Sequence, residues 1–172
     1  MRVIAKGIVV MFAMIGVVAS IQQVRGQSAS PLSEAKVTHI GIMVTDIEKT
    51  SKMFEEVFGA TVPKAFEFGP LPLLPGVADA ASSKVKVASF KIGDIAFEMI
   101  EPVAGPGPHR DHIDRFGQGL QHIAFTVPDA KGAIDALVAR GGSLTMSNYV
   151  DMKDLLGFTA EIAGPPQARP GQ

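Results

Sequence analysis

The chain has 172 residues, 47% of them hydrophobic and 19% charged, with a formal net charge of −1. That is enough apolar material for one ordinary globular core and too little length for several, and it excludes an intrinsically disordered chain. With 16 basic against 17 acidic residues there is no positive excess to hold nucleic acid, and with no cysteine there are neither disulfides nor thiolate metal sites.

At the start of the chain, Arg2 and Lys6 precede an apolar run from Gly7 to Ile21, followed by Gln22, Gln23 and a Val24-Arg25-Gly26 site. This is the layout of a secretory signal peptide, residues 1–26, cleaved after Gly26. The apolar run falls short of the roughly 20 residues that span a bilayer, so no stable membrane insertion is expected after processing. With no twin arginine, the expectation is export of an unfolded chain to the periplasm or beyond. Loss of Arg2, Lys6 and Arg25 leaves 13 basic against 17 acidic residues. Residues 27–35, QSASPLSEA, read as a flexible linker, and the proline-rich 166–172 as a loose tail.

The region between these ends repeats itself. Val37–Ala60 and Leu120–Ser143 align at a constant offset of 83: His39 meets His122, Ile40 meets Ile123, Val44 meets Val127, Asp46 meets Asp129 and Gly59 meets Gly142. Each copy reads as a strand, an N-capping aspartate, a helix and a terminating glycine. Ile47, Phe54, Val57 and Phe58, and in the second copy Ile134, Leu137 and Val138, recur at helical spacing and are expected on the core faces. The ends of the copies match too, Glu98-Met-Ile-Glu-Pro102 with Glu161-Ile-Ala-Gly-Pro165. The modules are thus 36–103 and 119–165, and the first is longer by Phe68–Ser83, FGPLPLLPGVADAASS, a loop expected either to line a pocket or to cover the core.

Strand alternation sets His39 with Gly41 and Met43, and Thr38, Ile40, Ile42 and Val44 on the opposite face. His122 lies with Ala124 and Thr126, Glu98 with Ala96 and Ile100, and Glu161 with Thr159 and Ala163. All four polar side chains project from strands whose other face is apolar. Two imidazoles and two carboxylates at equivalent places in two copies make a site for one divalent ion, with Zn, Ni, Co, Mn and Fe all compatible.

With THIGIMV at His39, IAFEMIEP at Glu98, GLQHIAFTV at His122 and GFTAEIA at Glu161, residues 36–165 resemble the vicinal oxygen chelate superfamily of glyoxalases, bleomycin resistance proteins and dioxygenases. The resemblance is nearest the methylmalonyl-CoA epimerase and glyoxalase I branch. It implies an α+β fold in which two βαβββ modules build an eight-stranded cup, paired within one chain or between two. It also implies metal ligation by His39, Glu98, His122 and Glu161. Ring-cleaving members lack a ligand where Glu98 stands. The implied activity is a metal-dependent isomerase, epimerase or lyase acting through a metal-stabilised enolate on an oxygenated small molecule, a keto acid or keto sugar. Glu161 or Glu98 would serve as base, Glu161 being favoured by the epimerase resemblance. A non-catalytic small-molecule binder of the same fold and a glyoxalase-like lyase are the alternatives, and a homodimer fits the family. In the epimerase a second glutamate comes from the first module's third strand, but Lys84–Phe90 has no acid. Glu67 on the preceding strand is the candidate substitute, and Arg110, in the segment between modules, the candidate anion-binding residue.

Overall fold

The computed structural model of the protein describes residues 30–166, so the expected signal peptide, the start of the linker and nearly all of the tail lie outside the described residues. The first module runs β1 (Lys36–Met43), α1 (Ile47–Phe58), β2 (Phe66–Phe68), β3 (Lys84–Ile92) and β4 (Ile95–Ala104). After α2 (Pro108–Phe116) the second runs β5 (Gly119–Thr126), α3 (Ala130–Val138), β6 (Ser143–Met146), β7 (Tyr149–Asp151), α4 (Lys153–Leu156) and β8 (Thr159–Ala163). This is an α+β fold of two βαβββ modules, with the short α4 added to the second.

The strands form one mixed sheet in the order β2-β3-β4-β1-β5-β8-β7-β6. β1 pairs with β4 in parallel and with β5 antiparallel, while β5 pairs with β8 in parallel, so the modules join within one chain through their first strands. Curling into a half-barrel leaves one face outside and one inside. Helix α1 covers the outer face of module one, where Ile47 and Phe54 meet Val44, Ala88, Phe90 and Met99. On module two α3 does the same through Ala133 and Leu137 against Val127, Val150, Ala160 and Ile162. A third cluster, Met43, Leu71, Val85, Val87, Ile100, Met146 and Tyr149, lies within the cup.

The caps follow the sequence with one exception. Asp46 accepts a hydrogen bond from the Lys49 amide at 2.8 Å and Asp129 from the Gly132 amide at 2.9 Å, and Gly59 ends α1 in the left-handed region. Gly142, however, does not stop α3. That helix ends at Val138, and the left-handed residue is Gly141. Gly142 is instead needed for close packing, since a Cβ there would lie 2.4 Å from Met152 Sδ and 2.7 Å from Val150 Cγ1. Val57, Phe58 and Val138, expected on core faces, are largely exposed, because each short helix offers the sheet only one narrow stripe.

The long loop of module one crosses the cup. Leu71 is buried in the inner cluster, Leu73 bridges to Met146 on β6, and the Ser147 amide donates to the Pro72 carbonyl at 3.2 Å. It therefore joins strands at opposite edges of the sheet. It lines a pocket and covers apolar surface at once, so the two sequence expectations are one arrangement.

Candidate metal centre

The two halves of the centre are related by the repeat. Gly41 on β1 is in register with Glu98 on β4 and with His122 on β5; its counterpart Ala124 on β5 is in register with His39 on β1 and with Glu161 on β8. Each small residue thus sits between a histidine and a glutamate on its flanks. At Gly41 the space is essential, since a Cβ would come within 1.8 Å of His122 Cε1.

The register also shifts twice, leaving Thr38 on β1 and Gln121 on β5 without partners in the β1–β5 pairing. These are equivalent positions, each immediately before a histidine. Strict alternation puts them on the opposite face, but a bulge re-aims a side chain. Gln121 is buried and its Oε1 lies 2.6 Å from His122 Nδ1. The amide oxygen accepts there, which fixes the proton on Nδ1 and frees Nε2 for the centre. Thr38 makes only a long 3.5 Å contact with His39 Nδ1.

Ligand atoms of His39, Glu98, His122 and Glu161 all lie within 4.8 Å of one another. His39 Nε2 is 3.3 Å from His122 Nε2, 3.2 Å from Glu161 Oε2 and 3.6 Å from Glu98 Oε2. His122 Nε2 is 3.4 Å from Glu161 Oε2 and 3.9 Å from Glu98 Oε2. Donors about 2.1 Å from one ion and 90–110° apart are separated by about 3.0–3.4 Å. The spacing and the nitrogen and oxygen donors fit a divalent ion, which these residues could hold.

Glu161 is anchored from behind: the Tyr149 hydroxyl donates to Oε2 at 3.1 Å and Asn148 Nδ2 to Oε1 at 3.1 Å. Burial would raise its pKa, but hydrogen bonding and charge from His39 and His122, with Tyr149, hold it below the usual carboxylate value. Glu98 has no comparable clamp. Burial raises its pKa, with His39 and the Ser89 hydroxyl opposing. Burial pushes His122 down to about 3, leaving it neutral, whereas at His39 the neighbouring carboxylates outweigh burial and raise it. Burial also raises the Tyr149 phenol, which remains a donor.

Two of the four, Glu98 and Glu161, line a cavity of about 320 Å³ together with Phe66, Phe68, Leu71, Val85, Val87 and Ile100 among others. A larger surface cleft between residues 30–35 and α3 contains none of the four. Of the two secondary candidates, neither reaches the cavity. Glu67 is exposed and paired with Lys84 at 3.0 Å, because the Phe66 and Phe68 flanking it take the inner face of β2. Arg110 donates to the Pro102 carbonyl at 2.6 Å. The residue of α2 that lines the cavity is His109, the neighbour of Arg110 in the segment between modules; His109 and His112 are both buried. Asn148, Tyr149 and His109 lie outside the aligned segments, so the repeat gave no signal for them.

Comparison with known proteins places the fold in a family. The chain is 31% identical over 90 residues to the uncharacterized protein YqjC of Bacillus subtilis, covering 52% of this chain and 56% of that protein. It is 25% identical over 117 residues to the mitochondrial methylmalonyl-CoA epimerase of Mus musculus, covering 67% of this chain and 59% of that one. The chain therefore spans somewhat over half the length of these relatives. The crystal structure of methylmalonyl-CoA epimerase from Mycobacterium tuberculosis superposes with a TM-score of 0.54 at 17% identity, covering 76% of this chain and 88% of the other, which establishes likeness of fold. Residues 38–159 match the family model of the glyoxalase/bleomycin resistance protein/dioxygenase superfamily, and the chain belongs to that superfamily.

Proposed function

We propose that this protein is a divalent-metal-dependent isomerase, epimerase or lyase that moves a proton on the carbon beside a carbonyl, and that it acts outside the cytoplasm. The observation that carries the reading is the convergence of His39, Glu98, His122 and Glu161 from four adjacent strands onto one point beside a cavity. Superfamily membership and likeness to an epimerase support it. A divalent ion there would polarise the substrate carbonyl and stabilise the enolate. His122, fixed by Gln121, and Glu161, clamped by Tyr149 and Asn148, are the rigid ligands.

Proton transfer falls to Glu98. It borders the cavity and carries no such clamp, so it can turn toward a substrate carbon. This reverses the order of preference taken from the epimerase, in which Glu161 comes first. With Glu67 outside the cavity and no acid on β3, one carboxylate removes and returns the proton. That favours isomerisation, or elimination of a β-substituent, over a two-base epimerisation. Export rests on Arg2, Lys6 and the apolar run 7–21.

The test is solvent exchange. In deuterium oxide the metal-loaded protein is expected to place deuterium on the carbon next to the carbonyl of its substrates, and Glu98→Gln to slow this by 10²-fold or more. No exchange across a broad panel of carbonyl compounds would leave a binding protein of the same fold.

A further inference from the structure

The polarity of the cavity is gathered at one end. Apart from His109, whose ring nitrogens are enclosed, the polar residues lining it are Glu98, Asn148, Tyr149 and Glu161. Two of these are donors of the candidate centre, and the other two are hydrogen-bonded to Glu161. Every other lining residue is apolar, and no lysine or arginine is among them.

The apolar part is a track laid down by strand register. Ile100 lies two residues beyond Glu98 on β4 and shares its face. It pairs with Val87 on β3, which pairs with Phe66 on β2, and Val85 pairs in turn with Phe68. The track therefore runs from the centre to the edge of the sheet, and at about 4.8 Å per strand it covers about 10 Å from β4 to β2. Lys84 and Lys86 alternate with the two valines onto the opposite face, where they pair with Glu67, Glu48 and Glu101.

The outer end of the track is uncovered. Val85, Val87 and Ile100 are buried, but Phe66 and Phe68 are 58% and 49% exposed and belong to none of the three core clusters. The two rings share one face of an edge strand and continue the buried wall of the cavity, so a molecule bound at the centre and reaching along the track would cover them. A carboxylate or phosphate lying there would have no counter-charge, and a sugar would turn several hydroxyls toward hydrocarbon. A volume of about 320 Å³ equals the liquid share of about ten water molecules, which is room for a carbonyl group and a chain of medium length.

We propose that the substrate is a carbonyl compound with an uncharged, unbranched alkyl chain that lies along Ile100 and Val87 and covers Phe66 and Phe68, and that these two phenylalanines set its chain-length specificity. The carbonyl end rests on the function proposed above. The seat of the chain does not.

Calorimetric titration tests this on the full chain, both metal-free and loaded with Zn²⁺. The probes are 1-hydroxy-2-butanone, 1-hydroxy-2-hexanone and 1-hydroxy-2-octanone, the 1-alkanols of four, six and eight carbons, and 8-hydroxy-7-oxooctanoate, which carries a carboxylate in place of the terminal methyl of the octanone. Affinity is expected to rise about two- to four-fold per added methylene, at least ten-fold from the butanone to the octanone, and the carboxylate to bind at least ten-fold more weakly than the octanone. In the double variant Phe66→Ser, Phe68→Ser the gain from butanone to octanone should fall to within about three-fold, while Phe58→Ser, a change to an exposed ring on the outer helix α1, should leave it unchanged. No chain-length gain in the wild-type protein overturns the proposal. So does a carboxylate that binds as tightly as the octanone, an undiminished gain in the double variant, or a gain lost in Phe58→Ser. Should the double variant not fold, intermolecular nuclear Overhauser contacts from the terminal methyl of 1-hydroxy-2-octanone decide instead: contacts to the Phe66 and Phe68 rings support the seat, and their absence overturns it. A chain-length gain shared by the 1-alkanols in a protein that takes up no metal keeps the seat of the chain and removes the metal-dependent function instead.

Discussion

Gly41 is the residue on which the centre turns, because its missing side chain is the space that the buried His122 ring occupies. Gly41→Ala is therefore expected to displace His122 and lower metal affinity ten-fold or more with the far-UV circular dichroism unchanged; wild-type affinity would show that the ring has another place to go. Gln121 acts one step further out. Gln121→Leu removes the acceptor at His122 Nδ1, and loss of such a partner costs about 10–100-fold in metal affinity, readable by competition with a chelator. The four donors were legible in the sequence because the repeat turned separate residues into pairs, the histidines at an offset of 83 and the glutamates, at the matching ends of the modules, at an offset of 63. Thr38 and Gln121 were not, because period-two alternation fails at a bulge and nothing in the residue types marks one. Tyr149 and Asn148 could not be found by the repeat either, since they act on Glu161 from positions outside the aligned segments.

The elements most readable from sequence were those whose signals are local. Asp46 and Asp129 cap helices through their own side chains, and their neighbours in sequence are their partners in space. The loop between β2 and β3 is the opposite case. Its prolines and glycines exclude regular structure, but its position depends on Met146 and Ser147, more than 60 residues away. Tertiary pairing of that kind leaves no periodicity. The loop's contribution is measurable: Leu71 is 7% exposed within the inner cluster, so Leu71→Ala should cost about 2–4 kcal/mol in denaturant unfolding. A cost below about 0.5 kcal/mol would mean that the loop rests on the cup without closing it. Gly142 makes the same point from the other side, as a glycine placed correctly in the repeat whose role is contact with Met152 and Val150 rather than helix termination.

For the whole molecule, the modules pair through β1 and β5 and bring their end strands β4 and β8 alongside, which makes a single centre from two half-sites. Burial of neutral histidines in that assembly has a consequence for pH. Burial lowers His109 to about 4, from 6.5 for the free side chain, so the unfolded chain takes up its proton first. The associated stability is complete above pH 6.5, falls as the pH drops from 6.5 through 4, and is level below that. The loss is on the order of 3 kcal/mol at about 1.4 kcal/mol per unit. His109→Phe should flatten this part of the stability profile relative to wild type, and parallel profiles would show that His109 is protonated in the folded state.

All of the proposed chemistry depends on one ion held by both modules, and the direct measurement is the metal content of the purified full chain by elemental analysis, beside His122→Ala and His39→Ala. One divalent ion per wild-type chain is expected, falling below a tenth of that in either variant, because each removes a donor supplied by a different module. Equal metal content in all three proteins, or none in any of them after exposure to Zn²⁺, Ni²⁺, Co²⁺, Mn²⁺ and Fe²⁺, would contradict it.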